Sequence, residues 1–156
     1  MKPFHRGIAV AALQCLIILG IAGKYTIDRE RLPRAWARTL PFDPTLPIRG
    51  RYVRLRLEVN VTDPLVKPWS PVQLAVEDGR LVALPGTGAR LFAAGNSRWA
   101  LQEPVAFFIP DAAADPSRRA PGEELWVEVS VPAKGPPRPI ALGVKKDGVL
   151  TPYAGN

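Results

Sequence analysis

The sequence predicts a mainly β protein, in which a single N-terminal transmembrane helix precedes a small antiparallel β-sandwich or open β-barrel. An uncharged apolar run occupies residues 7–23. Alternating apolar and polar residues recur from residue 52 onward, separated by stretches rich in proline or glycine. No helical periodicity follows residue 32, and the 156 residues are enough for one domain without a second large one.

The apolar run, GIAVAALQCLIILGIAG, predicts a membrane-spanning helix. Its seventeen residues make roughly 25 Å of helix, slightly less than the thickness of a bilayer core. Phe4 and residues 25–27 can lengthen the span, and Lys24 can extend its ammonium to the headgroups. Residues 24–32 contain neither proline nor glycine, so we assign residues 1–32 to the transmembrane helix and its continuation.

A cleavable signal peptide is the alternative, because basic residues followed by a short apolar run are typical of one. Cleavage would leave a secreted soluble β domain. For an uncleaved anchor, the basic residues after the helix favour a cytoplasmic domain. The very short N-terminus favours a signal anchor that delivers the domain outside, and we therefore expect a periplasmic domain.

Residues 33–48 predict a semi-rigid connector, because prolines deny the backbone hydrogen-bond donors and favour extended geometry. They are Pro33, Pro41, Pro44 and Pro47. Residues 49–156 then form the predicted β domain. Its first strand shows strict alternation, which is typical of a half-buried strand. The apolar positions are Val53, Leu55, Leu57, Val59 and Val61.

Further strand candidates follow along the chain. Two Asp-Gly dipeptides, each between two successive candidates, predict tight hairpin turns. These pairs are Asp78-Gly79 and Asp147-Gly148. The candidates lie within residues 72–76, 81–84, 90–93, 104–109, 125–131, 140–144 and 149–151.

The charge distribution excludes a nucleic-acid binder of the usual kind. The net charge is +7, but residues 1–56 hold eleven basic and three acidic side chains, and residues 57–156 hold ten and eleven. The positive excess therefore flanks the apolar helix and does not cover the β domain, as a nucleic-acid surface requires. We expect the membrane to be the partner of this charge, and no nucleic acid.

Several kinds of chemistry are excluded by composition. Cys15 is the single cysteine, so no internal disulfide forms, and His5 is the single histidine, which excludes a histidine triad in the domain. The acidic residues of 111–124 lack the ordered oxygen spacing of a calcium loop. We therefore predict no metal, no cofactor and no enzymatic activity.

The candidate contact residues are the arginines that precede and occupy the first predicted strand, with the tyrosine between them. They are Arg49, Arg51, Tyr52, Arg54 and Arg56. Basic residues near a membrane surface attract anionic headgroups, and they can equally dock acidic loops of a membrane partner. The alternative is a solvated strand face, with Arg54 and Arg56 paired to acids such as Glu128.

A membrane-tethered hydrolase is the hypothesis from another class. Ser70 follows Lys67 in the segment KPWSP, and a Ser-Lys pair needs no histidine. Such a lysine has to be desolvated so that its pKa falls. A proline-flanked loop does not favour that environment.

The stretch IRGRYVRLRL at residues 48–57 resembles the motif of the GDYXXLXY family of uncharacterised bacterial membrane-anchored proteins. Gly50, Tyr52 and Leu55 match the named positions, whereas Arg51 replaces the aspartate and Leu57 replaces the final aromatic residue. An apolar N-terminal helix, Asp43-Pro44 before the strand and a closing hairpin at residues 142–152 extend the resemblance.

The resemblance implies a bacterial inner-membrane protein with no assigned catalytic residue, often found alongside a multi-pass membrane protein. No role of the motif's aspartate transfers, because Arg51 stands in its place. We therefore expect a non-enzymatic single-pass protein of the cell envelope whose β domain binds a membrane-protein partner or the membrane surface.

Overall fold

The computed structural model describes residues 3–40, 52–95, 97–109, 116 and 119–153, and of residues 3 and 4 only the backbone. The chain divides into two compact units at its N-terminal helix. The first unit is Met1–Leu32, and the second is Pro33–Asn156.

The first unit is the helix α1, Pro3–Arg31. Within it, His5–Arg31 is long and apolar enough to cross a membrane, and no other helix in the described residues is. At about 1.5 Å per residue its 27 residues extend roughly 40 Å, which exceeds a bilayer core. Its large apolar side chains, such as Leu16 and Leu19, are exposed. A membrane anchor and a signal sequence share these properties.

In the described residues, the second unit contains strands and no helix. The predicted combination of one apolar helix and a β domain is confirmed. The strands are β1 Arg34–Leu40, β2 Tyr52–Val61, β3 Pro71–Glu77, β4 Arg80–Pro85, β5 Ala89–Ala93, β6 Trp99–Leu101, β7 Val105–Phe108, β8 Glu124–Ser130, β9 Arg138–Lys146 and β10 Val149–Pro152.

Six of these strands form a closed barrel, in the order β1-β4-β3-β5-β6-β2 and back to β1. The antiparallel pairing of β2 with β1, through Leu57 opposite Thr39, closes it. Strands β8, β9 and β10 extend the sheet from β1, and β7 pairs with β2. β2 has ten residues and pairs with four strands, which a long strand achieves by bending around a small barrel.

Two pairings, β1 with β4 and β2 with β4, are parallel, and the others in the described sheet are antiparallel. Both parallel pairings are short. In the pairing of β1 with β4, Trp36 lies opposite Arg80. In the pairing of β2 with β4, residues 60–61 lie opposite residues 82–83. The sheet is therefore predominantly antiparallel, as predicted, and its parallel contacts are confined to these two short pairings.

Strand β1 lies in the first half of the predicted connector, which is a correction to that prediction. Residues 34–38 pair with β8, from Arg34 opposite Ser130 to Arg38 opposite Trp126, and residues 39–40 pair with β2. The inward residues of β1 are Ala35, Ala37 and Thr39, whose small or polar side chains give weak alternation. The later residues of the connector, 41–48, lie outside the described part of the chain.

The two Asp-Gly pairs form the predicted hairpin turns. Asp78 and Gly79 both have positive φ, at 49° and 70°, and connect β3 to β4. Asp147 and Gly148 do the same between β9 and β10. When both central residues have positive φ, the twist of the turn matches the right-handed twist of the two strands. Asp and Gly both tolerate positive φ.

The core of the domain fills the barrel and continues beneath β8 and β9. The alternate residues of β2 point into it, with Leu57 fully buried. Thr39 is a buried polar residue, and its hydroxyl donates to the carbonyl of Leu125 at 2.9 Å. That hydrogen bond removes the cost of burying the hydroxyl group.

Candidate functional site

The outer face of β2 carries the candidate contact residues that the structure describes. Tyr52, Arg54, Arg56 and Glu58 alternate with buried residues and are half-buried on the outside of the domain. We call these four residues the β2 outer face. Arg49 and Arg51, which the sequence also predicts as contact residues, lie outside the described residues.

Aromatic side chains flank the arginines of this face. The rings of Tyr52 and Phe108 lie 6.1 Å apart between centroids and are tilted by 53°, and Phe108 is 76% exposed. The guanidinium of Arg56 lies 4.8 Å from the centroid of the Phe92 ring, in cation–π geometry. Arg54 lies between them on β2, opposite Ala106 of β7. The face therefore combines cations with apolar rings, one of which is largely open to solvent.

Glu58 connects the β2 outer face to neighbouring arginines. Arg98 donates to it at 3.0 Å, and Arg38 lies 4.0 Å from its other oxygen. Arg38 also pairs with Glu124 at 2.9 Å, so it bridges β2 and β8. These pairs are half-buried, which reduces their screening by salt.

Glu128, which the alternative reading names as a partner of the β2 arginines, pairs elsewhere in the described residues. Glu128 lies 4.0 Å from Arg34, because β8 pairs with β1 and is separated from β2 by that strand. In the described part of the chain, Arg54 makes no hydrogen bond or ion pair with an acid.

A polar cleft of about 490 Å³ adjoins this network. Its arginines come from three separate parts of the chain: Arg38 from β1, Arg98 from the turn before β6, and Arg119 from the segment before β8. We call it the arginine cleft. It is lined by Arg38, Thr39, Leu40, Arg98 and residues 119–124.

The electrostatics of Arg119 differ from those of the other two arginines. Burial, together with the positive charge of Arg38, lowers the pKa of the Arg119 guanidinium, while Glu123 and Glu124 act in the opposite direction. No hydrogen bond or ion pair of this side chain occurs within the described segments. Arg119 therefore carries a partly desolvated charge that none of the described carboxylates contacts.

The serine proposed for a hydrolase lies in a turn. The Ser70 hydroxyl donates to the carbonyl of Lys67 at 2.6 Å and accepts from the Lys67 backbone N–H at 3.2 Å. Lys67 is exposed. The two hydrogen bonds stabilise the turn, and they do not bring the lysine ammonium to the hydroxyl as a base requires.

No group of three His, Cys, Asp or Glu side chains within the described segments has an arrangement that could hold a metal ion. Carboxylates near the arginine cleft are instead paired with cations, such as Glu123 with Lys146 at 3.4 Å.

Sequence reasoning missed Arg38, Arg98 and Arg119. Arg38 fell within the predicted connector, and the other two fell in segments without alternation. The pattern Trp36, Arg38 and Leu40 between smaller residues is a weak strand signal that could have placed Arg38 on an outer face. Nothing in the sequence indicates that Arg98 and Arg119, which follow Arg38 by 60 and 81 positions, lie near it in the fold.

No family model matches the chain, and the searches of curated proteins and of solved structures found no match either. Membership of the GDYXXLXY family accordingly stays a prediction from Gly50, Tyr52 and Leu55.

Proposed function

We propose that this chain is a non-enzymatic, single-pass membrane protein whose extracytoplasmic β domain binds a membrane-protein partner. The observation that carries the proposal is the β2 outer face, where arginines and a tyrosine share a surface with the exposed ring of Phe108. The N-terminal helix, long and apolar enough to span a membrane, supports the anchoring. Arg49 and Arg51 extend the contact by their position in the sequence.

The composition of this face favours a protein over a lipid surface. Tyrosine, phenylalanine and arginine are enriched at protein interfaces, where rings fill pockets and guanidinium groups bind carboxylates. A headgroup site that relies on charge alone consists of clustered lysine and arginine side chains. Here Arg56 is stacked on Phe92, and Tyr52 contacts Phe108, so the surface is organised before binding.

The compartment and the anchor are part of the proposal. The resemblance of residues 48–57 to a family of bacterial envelope proteins supports a periplasmic domain. A reporter active only outside the cytoplasm, fused after Asn156, tests both. We expect reporter activity together with an uncleaved mass in washed membranes. A clipped soluble product would contradict the anchor, and an inactive reporter would contradict the orientation.

Charge reversal of the four arginines tests the interface. Full-length tagged protein carrying Arg49→Glu, Arg51→Glu, Arg54→Glu and Arg56→Glu is purified from membranes in a mild nonionic detergent. We expect loss of the membrane proteins that copurify with the unmodified chain. A matched control reverses exposed cations elsewhere, with the same change of net charge. It carries Lys67→Glu, Arg80→Glu, Arg90→Glu and Lys134→Glu.

The outcomes separate the interface from non-specific charge. Retention of the same partners by the four-arginine variant would refute the proposed interface. Equal loss in both variants would attribute the association to net charge. Binding of the domain to vesicles containing anionic lipid, lost only in the four-arginine variant and without any protein partner, would replace the protein partner by the membrane surface.

A further inference from the structure

We propose that the arginine cleft binds a carboxylate group, presented by an acidic side chain of the partner protein. This inference rests on the proposed function, since it names the chemistry of the same partner at a site beside the β2 outer face. The three guanidinium groups that line the cleft carry it.

The charges around the cleft leave one cation unmatched among the described residues. The cations are Arg38, Arg98, Arg119 and Lys146, and the carboxylates are Glu58, Glu123 and Glu124. Each of these carboxylates already has a cation within 4.0 Å. Among the residues that line the cleft itself, three arginines and two glutamates leave one positive charge, which a single monoanion neutralises.

Arg119 is the side chain that gains most from such a ligand. Its guanidinium is held partly out of water beside the charge of Arg38, and both effects disfavour the charged form and lower its pKa. Arginine nevertheless stays protonated, so the domain retains an unfavourable charge at this position. An anion between Arg119 and Arg38 would offset the desolvation and the repulsion together.

Guanidinium donors without a partner in the described segments also favour an anion in the cleft. In the described segments, the Arg98 guanidinium donates to Glu58 through one terminal nitrogen, and the side chain is 37% exposed. The guanidinium of Arg119 makes no hydrogen bond there. A guanidinium presents five N–H donors in a planar fork that matches the two oxygens of a carboxylate.

The cleft favours a carboxylate over a phosphate. Glu123 and Glu124 belong to its lining, and their charges repel a dianion more strongly than a monoanion. The volume of about 490 Å³ holds a side chain with neighbouring peptide and is larger than a lone anion needs. Because Glu58 joins Arg98 and Arg38 to β2, a partner segment lying on the β2 outer face can place an acidic residue in the cleft.

The test is a titration of the full-length protein in neutral detergent micelles, followed through the arginine Nε–Hε signals in nitrogen–proton correlation spectra. The probes are acetyl-Gly-Glu-Gly-amide, its Gln counterpart and inorganic phosphate. We expect saturable shifts at Arg119 and Arg38 with the Glu peptide alone. Arg119→Gln should weaken that binding about tenfold, the loss of one charge-assisted hydrogen bond.

Two further variants keep the result interpretable. Arg80→Gln removes an exposed arginine outside the cleft and should leave the affinity unchanged. Arg119→Lys keeps the charge without the fork and should give intermediate affinity, which remains informative if Arg119→Gln does not fold. Three outcomes would each overturn the carboxylate site. They are equal shifts with the Gln peptide, saturation by phosphate alone, and unchanged affinity in both Arg119 variants.

The copurification assay distinguishes this inference from the proposed function. Loss of partners in the four-arginine variant but full retention in Arg119→Gln would overturn the cleft's role in the partner contact and leave the β2 interface in place. Binding of the Glu peptide together with retention of partners in the four-arginine variant would refute the β2 interface and leave the carboxylate site standing.

Discussion

The two faces of β2 show how one strand separates stability from recognition. Its inner residues are buried in the barrel, Leu57 completely, whereas the outer residues Arg54, Arg56 and Glu58 are half-buried and charged. Burial of a leucine contributes about 1.5–3 kcal/mol, and an exposed ion pair contributes about 0–1 kcal/mol. The inner face therefore determines whether the barrel forms, and the outer face can vary in charge without altering the fold.

Leu57→Ala is the change with the largest expected effect. Leu57 has no exposed surface and lies opposite Thr39 at the pairing that closes the barrel. We expect the free energy of unfolding to fall by about 2–5 kcal/mol, through lost burial and the cavity left behind. Urea denaturation of the full chain in micelles, followed by tryptophan fluorescence, measures it.

The matched control for this variant is Leu65→Ala, because Leu65 is 74% exposed. It should change the free energy of unfolding by less than about 0.5 kcal/mol. Similar losses in the two variants would mean that burial in the barrel does not dominate its stability.

Glu58→Gln should have an intermediate effect, because Glu58 lies on the outer face yet pairs with Arg38 and Arg98. Its side chain is 17% exposed, so we expect a loss of about 0.5–1 kcal/mol in the free energy of unfolding. The loss should shrink at about 1 M salt, where charges are screened within about 3 Å. Glu103→Gln, at an exposed carboxylate, is the control, and a salt-independent loss would argue against an ionic contribution.

Arg54→Gln should have the smallest effect on stability. In the described part of the chain, Arg54 has no ion pair, and we expect the free energy of unfolding to change by less than about 0.5 kcal/mol. The same variant should weaken copurification of the partner, whereas Arg80→Gln should not. A loss of stability comparable to that of Leu57→Ala would remove the distinction between the two faces.

Much of the fold follows from local patterns. The alternation of Val53, Leu55 and Leu57 predicts both the strand and the face that is buried, because side chains alternate across a strand. The Asp-Gly pairs predict two hairpins because of their tolerance of positive φ. Strand β1 was not predicted, because its inward residues Ala35 and Ala37 provide little hydrophobic contrast with their neighbours. Strand β6 was not predicted, because its three residues are too few to show alternation.

The candidate site was predictable only in part. The outward placement of Tyr52, Arg54 and Arg56 follows from the alternation of β2. The contact of Tyr52 with Phe108 does not, because it depends on the register between β2 and β7. Register across non-adjacent strands is set by packing and not by either strand's own sequence.

By itself the sequence determined the apolar helix, the β character of the domain and the side of β2 that faces solvent, since each depends on residues a few positions apart. Only the tertiary structure decided the closure of the barrel and the meeting of Arg38, Arg98 and Arg119 at one cleft. Those three arginines are separated by 60 and 21 positions, and no periodicity of the chain relates them. Their proximity follows from three pairings, of β6 with β2, of β2 with β1 and of β1 with β8, which only the folded domain specifies.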